Sequence, residues 1–267
     1  SNFVKADLHI HSYGISDGSY DVKDTQMTPE AIVDKAVEKS LSIISITDHN
    51  EINNSKKAID YSNGKEILVI PGIEVSTTQG HLLVYFEKFQ ELRSFHGKLN
   101  ISDDRERCTQ GIVDCLDLAS RFHGIGVLAH IELKSGFEKA IARFSNVIKD
   151  VYTHKSLYAL EISSKNSINL YTDDDSDNDR KVLINSRREK LSLSNDALLP
   201  KLMSSDSHSI DKLGKNADGK HRLTRIKVDS LTFAAFRTAL LSHESRIRLE
   251  EFIPERIPHI VGLNLKV

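Results

Sequence analysis

The segment "KADLHIHSYGISDGS", residues 5–19, places two histidines one residue apart at the end of an apolar run. The apolar residues of this run predict a short buried strand over residues 4–10. A polar, glycine-containing turn that carries an aspartate, Asp17, follows at once. Because side chains alternate along a strand, His9 and His11 lie on the same face of it. This spacing is suited to metal binding.

The remaining apolar segments predict an alternation of strands and helices. Further strands are predicted over residues 42–47, 66–76, 80–86, 125–131, 156–163 and 198–208. Helices are predicted over residues 27–42, 55–63, 110–124, 137–150 and 179–191, and the polar segment 87–106 is predicted to be a loop. The strands are apolar without alternating, which is typical of a parallel sheet covered on both faces. The order therefore predicts an α/β fold, a barrel of parallel strands ringed by helices.

Composition narrows the classes of function. The chain has 267 residues and a formal net charge of −2, so no general attraction to nucleic acid or acidic lipid is expected. No apolar run is long enough to span a bilayer, which predicts no membrane partner. Two cysteines, Cys108 and Cys115, indicate a reducing, cytoplasmic setting. Their spacing in a helical pattern predicts a separation of roughly 10 Å along the axis, too far for a disulfide.

Histidines and carboxylates recur where predicted strands give way to loops. The candidate metal ligands are His9, His11, Asp17, His49, Glu74, His81, His130, Asp206 and His208. In a parallel barrel the ends of the strands meet at one rim, where such folds place their active sites. Imidazole and carboxylate together suit zinc, manganese or iron, and the set is too large for one ion. It predicts two or three divalent ions, with Glu74 as a bridge.

Each of these histidines, taken alone, has a simpler structural interpretation. A single histidine at a strand end is more often a hydrogen-bonded residue than a ligand, and His81 begins its strand instead of ending it. Asp17 would also serve as an ordinary turn residue beside Gly18. The structural interpretation is kept for His96, His123, His154, His221, His243 and His259. It would need five coincidences for the strand-end histidines of the candidate set, which favours metal binding there.

Six segments in order resemble the motifs of the polymerase and histidinol phosphatase (PHP) family. They are "DLHIHSYGISDG", "ITDHN", "PGIEVS", "GHLLVYF", "VLAHI" and "SDSH", spanning residues 7–208. The resemblance implies a distorted (β/α)₇ barrel, similar to a TIM barrel, with a trinuclear metal centre at its rim. It also implies phosphoester hydrolysis.

Carried over residue by residue, the resemblance implies three metal positions. One ion would take His9, His11, Glu74 and Asp206. A second would share Glu74 and add His81 and His130, and a third would take Asp17, His49 and His208. Among the catalytic residues would be His9, Glu74 and Asp206. Asp48, beside His49, is predicted to join them by holding a ligand imidazole in one tautomer, although it would also serve as an ordinary turn residue at the strand end.

The end of the sequence predicts a larger protein. Residues 1–220 are predicted to form the barrel domain, and residues 221–267 an extension packed on it. The segment "RIKVDSLTFAAFRTALLSHESRIRLEEFIP" is similar to the region after the barrel in PHP–ATPase fusions of the TrlF type. The chain has no G-x-x-x-x-G-K-[ST] motif, so the ATPase would lie outside it. The leading Ser1-Asn2 also favours a fragment.

These features predict a metal-dependent phosphoric ester hydrolase. A hydroxide bridging two ions would attack phosphorus, and the substrate would be a phosphorylated small molecule or a nucleotide. Lys134, Arg105 and Arg180 lie in predicted loops that could meet phosphate, although each is more often an ordinary surface cation.

Two alternatives remain. One is a nuclease or nucleic-acid end-processing domain of a larger ATPase, for which 6% aromatic residues and no tryptophan offer little support. The other is a non-catalytic regulatory domain in which metals only stabilise the barrel.

Overall fold

The structure, a computed structural model, describes residues 2–141 and 146–250. The strands in these ranges are β1 (Asn2–Ile10), β2 (Leu41–Ile46), β3 (Leu68–Val69), β4 (Gly72–Thr77), β5 (Gly80–Tyr85), β6 (Ile125–Leu128), β7 (Leu157–Glu161), β8 (Lys201–Leu202), β9 (Thr224–Val228) and β10 (Ile247–Leu249). The helices are α1 (Pro29–Glu38), α2 (Asn53–Tyr61), α3 (Phe89–His96), α4 (Ile112–Arg121), α5 (Phe137–Ala140), α6 (Asn146–Tyr152), α7 (Asn178–Lys190), α8 (Phe233–Leu241) and α9 (His243–Arg246).

Two five-stranded sheets close into one barrel. Their strand orders are β10-β9-β1-β2-β3 and β4-β5-β6-β7-β8. A parallel bridge between Ile10 and Ser207 joins β1 to the segment after β8. A second parallel bridge, between His49 and Glu74, joins the segment after β2 to β4. The wall therefore runs through β1, β2, the interrupted strand β3–β4, β5, β6, β7 and β8, and the predicted distorted barrel is confirmed.

The distortion lies at β5, which runs against its neighbours. It pairs antiparallel with β4, with Ile73 opposite Val84, and antiparallel with β6. No helix separates β4 from β5, because a tight turn ending at Gly80 (φ 102°) connects them. The start of β5 therefore lies at the rim where the parallel strands end. This explains how His81, which begins its strand, reaches the same rim as histidines that end theirs.

Helix α1 forms where its sequence predicts it, although it is shorter than expected. The Thr28 side chain accepts a hydrogen bond from the Ala31 amide at 3.2 Å, and Pro29 takes the first helical position. Ile32 and Val33 are fully buried against the barrel.

The prediction that residues 87–106 form a loop is wrong over Phe89–His96, which is α3. Leu92 and Phe95 are fully buried, and the Phe95 ring lies 5.2 Å from that of Phe86. The Lys88 amide donates to the Glu91 carboxylate at 3.2 Å, which closes the first turn. Two apolar side chains can therefore stabilise a helix in a mostly polar segment when both are buried in the core.

The expected separation of the two cysteines is also wrong. Helix α4 begins at Ile112, so Cys108 lies outside it and pairs with Thr77 of β4. Both thiols are buried, and the Cys108 Sγ donates a hydrogen bond to Gln110 Oε1 at 3.4 Å. The neighbouring Cys115 thiol lowers the pKa of Cys108 to about 7, so the two side chains lie close together despite their spacing in the sequence.

The helix predicted over 137–150 is present at both ends, as α5 and α6, while residues 142–145 lie outside the described part of the chain. Downstream of residue 220, β9 pairs antiparallel with β1, Thr224 opposite Ala6, and β10 extends this edge. Residues 251–267 lie outside the described ranges, and the domain division at 220 stays a prediction. Among the described helices, none has the length and apolar character needed to cross a bilayer.

Candidate metal centre

Glu74 of β4 lies at the centre of a buried cluster of imidazoles. Its Oε2 atom is 3.1 Å from both His9 Nε2 and His11 Nε2, and 3.3 Å from His49 Nδ1. Its Oε1 atom is 2.8 Å from His81 Nδ1 and 3.2 Å from His130 Nε2. Glu74, His9 and His11 are fully buried. One carboxylate therefore touches five histidines, as a bridging ligand would.

Asp206 brings a second carboxylate to the pair of histidines from β1. Its Oδ1 atom lies 3.0 Å from His11 Nε2 and 3.4 Å from His9 Nε2. The two Nε2 atoms are themselves only 3.1 Å apart. Asp206 follows β8, which the Ile10–Ser207 bridge holds beside the end of β1. The closing seam of the barrel thus builds this part of the site.

A third carboxylate comes from Asp21, in the loop between β1 and α1. Its Oδ2 atom lies 3.0 Å from His208 Nε2 and 3.3 Å from His49 Nε2. The sequence predicted Asp17 for this position, and the structure does not place it there. The Asp17 carboxylate instead faces outward and binds Lys57 Nζ at 2.7 Å and Asn53 Nδ2 at 3.2 Å. Helix α2 therefore draws Asp17 away from the barrel mouth.

The donor atoms fall into four overlapping groups in the described residues, each with all its atoms within 4.8 Å of one another. The groups are His11–Asp21–His49–His208, His9–His11–Asp206, His9–Glu74–His130 and His49–Glu74–His81. The structure thus brings together every predicted ligand except Asp17, and adds Asp21. Their role as ligands stays a prediction.

The donor chemistry of the cluster fits divalent cations. The Nδ1 atom of His9 faces Glu161 and that of His11 faces Ser19 Oγ, so their Nε2 lone pairs converge on Glu74 and Asp206. Asp21 Oδ1 and Asp206 Oδ1 are buried without a hydrogen bond in the described structure. Lone pairs that converge without a donor between them repel one another unless a cation or a proton lies there.

The electrostatics of the cluster favour positive charge between its carboxylates. Burial disfavours protonation of His11, but the adjacent carboxylates of Asp206 and Glu74 outweigh it and raise its pKa to about 10. Burial also works against ionisation of Glu74, yet the surrounding histidines hold the pKa of that carboxyl well below its usual range. The buried carboxylates therefore favour positive charge at this place, which a proton or a divalent ion can supply.

A second layer of hydrogen bonds orients the imidazoles. Both oxygens of Glu161, the last residue of β7, lie 3.0 Å from His9 Nδ1. Ser76 Oγ lies 2.7 Å from His49 Nδ1, and Ser19 Oγ lies 2.8 Å from His11 Nδ1. Such partners fix the tautomer and the ring orientation of ligating histidines.

Asp48 makes no direct hydrogen bond to an imidazole in the described structure. Its carboxylate accepts from the Ser12 amide at 2.6 Å, from Ser12 Oγ at 2.5 Å and from Ser19 Oγ at 2.7 Å. Because Ser19 in turn faces His11, Asp48 orients that histidine through a hydroxyl. Asp48 is a buried positioning residue and does not touch the place where substrate would react.

The sequence analysis missed Asp21 and Glu161. Glu161 carried a usable signal, since an acidic side chain at the end of an apolar strand occupies the same position as Glu74. Asp21 carried none, because the loop holds several aspartates and no periodicity. Of the three suggested cations, Arg105 bonds backbone carbonyls and Glu51, and Arg180 pairs with Glu138 and Asp175. Of the histidines given a structural interpretation, His259 lies outside the described residues.

A barrel rim that gathers imidazoles and carboxylates around one buried glutamate defines a class of metal-dependent hydrolases. The chain belongs to the PHP domain family, whose sequence profile matches residues 7–198.

An uncharacterized protein of Methanocaldococcus jannaschii is 32% identical over 88 residues, which cover 31% of this chain and half of that protein. Two solved structures share the fold at a TM-score of 0.66. Endonuclease Q bound to a 27-mer duplex with an abasic lesion is 21% identical, over 90% of this chain and 57% of that one. The lesion-specific endonuclease of Pyrococcus furiosus is 20% identical, over 93% of this chain and 58% of that one. The chain thus spans little more than half of each, and the likeness shows the fold alone.

Proposed function

We propose that the chain hydrolyses phosphoesters with divalent metal ions held at the Glu74 cluster. The observation that carries this proposal is the convergence of buried lone pairs from β1, β4 and the segment after β8 on one small volume. A structural metal site is normally closed and holds one ion. Here four donor groups share members, which supports two or three ions and argues against the non-catalytic alternative.

The residues that would hold the ions are those of the four groups. His9, His11, Glu74 and Asp206 would hold one position, and His81 and His130 would add a second that shares Glu74. Asp21, His49 and His208 would hold the third. Divalent ions so placed act as Lewis acids on phosphoryl oxygens and lower the pKa of water toward neutrality.

Exposure indicates the side from which substrate arrives. The side chains of His9 and Glu74 are 0% and 1% exposed, so they form the floor of the site. Asp206 is 25% exposed, and His208 and Asp21 are about one third exposed. A phosphoester would therefore approach over Asp206 and His208, while Glu74 and His9 hold the geometry below it. Buried, hydrogen-bonded side chains cannot reorganise during the reaction, which favours transition-state stabilisation.

A nuclease is the second candidate. The complex of endonuclease Q with a DNA duplex supports it, because that fold accommodates a polymeric phosphodiester at its active site. The same metal chemistry would also hydrolyse a small phosphomonoester. A small-molecule phosphoesterase and a nuclease would therefore differ in the residues around the metal site that bind the rest of the substrate.

The test combines metal analysis with hydrolysis. Protein purified without chelator should contain two or three divalent ions per chain and hydrolyse 4-nitrophenyl phosphate or bis(4-nitrophenyl) phosphate with added Mn²⁺. The His9→Gln variant should lose most of the activity, whereas the matched change of an exposed histidine, His123→Gln, should leave it intact. Full activity of His9→Gln, or protein without bound metal, would disprove the proposal. Cleavage of an oligonucleotide that is also lost in the His9→Gln variant would favour the nuclease over the small-molecule phosphoesterase.

A further inference from the structure

A polar cavity of about 400 Å³ lies against His81. Thr77, Thr78 and Gly80, from the hairpin between β4 and β5, form one wall, and Ser135 lies opposite. The Ser135 carbonyl accepts a hydrogen bond from the His81 amide at 3.1 Å, which joins the two sides. His81 also contacts Glu74 at 2.8 Å through Nδ1. The cavity therefore shares one residue with the metal cluster and continues the barrel mouth.

Two cations line this cavity, Arg107 and Lys134. In the described part of the chain, neither side chain makes an ion pair or a hydrogen bond. Hydrogen bonds from Ser102 and from the Glu106 amide lower the pKa of Asp104, and the nearby Arg107 charge adds to this effect, but Asp104 and Arg107 do not form an ion pair. The neighbouring Arg105, by contrast, uses its guanidinium on Glu51 and on backbone carbonyls. Arg107 and Lys134 thus remain available to a ligand.

The backbone beneath both cations is held in place. Arg107 exchanges two hydrogen bonds with Ser102, which tie its carbonyl and its amide into a tight turn. Lys134 lies in the turn between Leu133 and Gly136, where the Gly136 amide donates to the Leu133 carbonyl at 2.9 Å. Gly136 has no room for a side chain, because a Cβ atom there would lie 2.4 Å from the His130 carbonyl. The turn that follows the metal-site residue His130 therefore presents Lys134 from a fixed position.

We propose that this cavity binds a second phosphate of the substrate while the first reacts at the metal cluster. The proposal rests on the function proposed above and adds the substrate class, a phosphoester that carries another phosphate group. Two unpaired cations match the charge of a phosphate, and Arg107 can bind two of its oxygens at once. The second phosphate is either the next phosphodiester of a nucleic-acid strand or the terminal phosphate of a small bisphosphate.

The test compares substrates that differ only in the second phosphate. Thymidine 5′-(4-nitrophenyl phosphate) is hydrolysed with and without a 3′-phosphate, and a short oligothymidylate replaces the 3′-phosphate in a third reaction. Wild-type protein should hydrolyse at least one of the two substrates that carry a further phosphate faster than the substrate without one. If the 3′-phosphate compound is the better substrate, the ligand is a small bisphosphate; if the oligothymidylate is better, the ligand is a nucleic-acid strand. The double variant Arg107→Gln/Lys134→Gln should lose this preference by roughly 10- to 100-fold in kcat/KM, as expected for two charge-assisted hydrogen bonds.

Two controls make the outcome decisive. Hydrolysis of 4-nitrophenyl phosphate, which has no second phosphate, should change less than about twofold in the double variant if the metal cluster is intact. The matched variant Arg93→Gln/Lys98→Gln alters two cations outside the cavity and should retain the preference. Equal losses on all substrates, or no preference in the wild type, would overturn the cavity proposal while the hydrolytic function stands. No hydrolysis of any phosphoester would overturn both.

Discussion

Both carboxylate oxygens of Glu161 lie 3.0 Å from Nδ1 of His9, and Oε1 also accepts the backbone amide of His130 at 3.0 Å. One buried side chain at the end of β7 thus contacts the imidazole of His9 in β1 and the backbone of His130, which follows β6. The contact places a proton on Nδ1 of His9 and leaves Nε2 as a lone pair that faces Glu74. This orientation makes His9 competent to bind a cation.

The change Glu161→Gln should weaken metal binding by about 10- to 100-fold, as found for partners of metal-bound histidines. The amide keeps the size of the side chain but removes the charge that increases the basicity of the imidazole. Titration of metal-free protein with Mn²⁺ by calorimetry measures the affinity. The exposed change Glu66→Gln is the control. Unchanged affinity in Glu161→Gln would show that the contact does not act on the metal.

The two aspartates of the loop after β1 should behave differently. Asp21→Asn removes a carboxylate shared by His49 and His208, so it should lower the bound metal by about one ion per chain. Asp17→Asn removes only a contact to Lys57 at the surface, so metal content and activity should stay near those of the wild type. Elemental analysis of both variants measures the number of metal ions bound per chain. The opposite pattern would restore Asp17 as the ligand and contradict the structure.

The sequence predicted the site residues whose positions follow from the alternation of side chains along a strand. It did not predict those whose positions depend on tertiary contacts. His9 and His11 could be placed because alternation on β1 puts both side chains on one face. His81 also joined the cluster, although only the reversed direction of β5 explains how. The choice between Asp17 and Asp21 was beyond sequence reasoning, since it depends on Lys57 of a helix distant along the chain.

Helix α3 and Cys108 show that local sequence patterns also fail to predict parts of the fold that depend on distant contacts. The pattern of α3 is mostly polar, and only the burial of Phe95 against Phe86 reveals why it is helical. Cys108 had the spacing of a helical residue, but its amide bonds the Ser76 carbonyl of β4 at 2.7 Å instead. In both cases a contact distant in sequence outweighs the local pattern.

Asp48→Asn should destabilise the protein even in the absence of metal. Asp48 is fully buried and accepts three hydrogen bonds from Ser12 and Ser19, so the amide would lose at least one of them. The expected loss in the free energy of unfolding is about 2 kcal/mol, because hydrogen bonds to a buried charged group are involved. Urea unfolding in EDTA measures it, with the exposed Asp150→Asn as control. An unchanged stability with lost activity would instead assign Asp48 a direct role in the reaction.

Metal ions should stabilise the folded chain against heat. Ions that bind the assembled site but not the unfolded chain add about 2.7 kcal/mol when their concentration is 100 times the dissociation constant. Differential scanning fluorimetry with Mn²⁺ should therefore show a rise in Tm that EDTA reverses. Asp206→Asn, which removes a carboxylate from the His9–His11 pair, should show a smaller rise. Equal rises in variant and wild type would place the stabilising ions elsewhere.

The stabilisation by metal should grow as the pH rises. Without metal, the acidic partners of His11 raise its pKa to about 10, so the folded chain keeps a proton that the unfolded chain releases near its ordinary pKa. This proton contributes fully to the free energy of unfolding when the pH is below the pKa that His11 has in the unfolded chain. The contribution is lost as the pH rises toward the pKa that His11 has in the folded chain. A bound ion replaces the proton and does not depend on it, so the metal-bound form loses less. The difference in Tm between protein in Mn²⁺ and in EDTA should accordingly increase from about pH 7 to about pH 9. A constant difference over this range would mean that metal binding displaces no proton from the cluster.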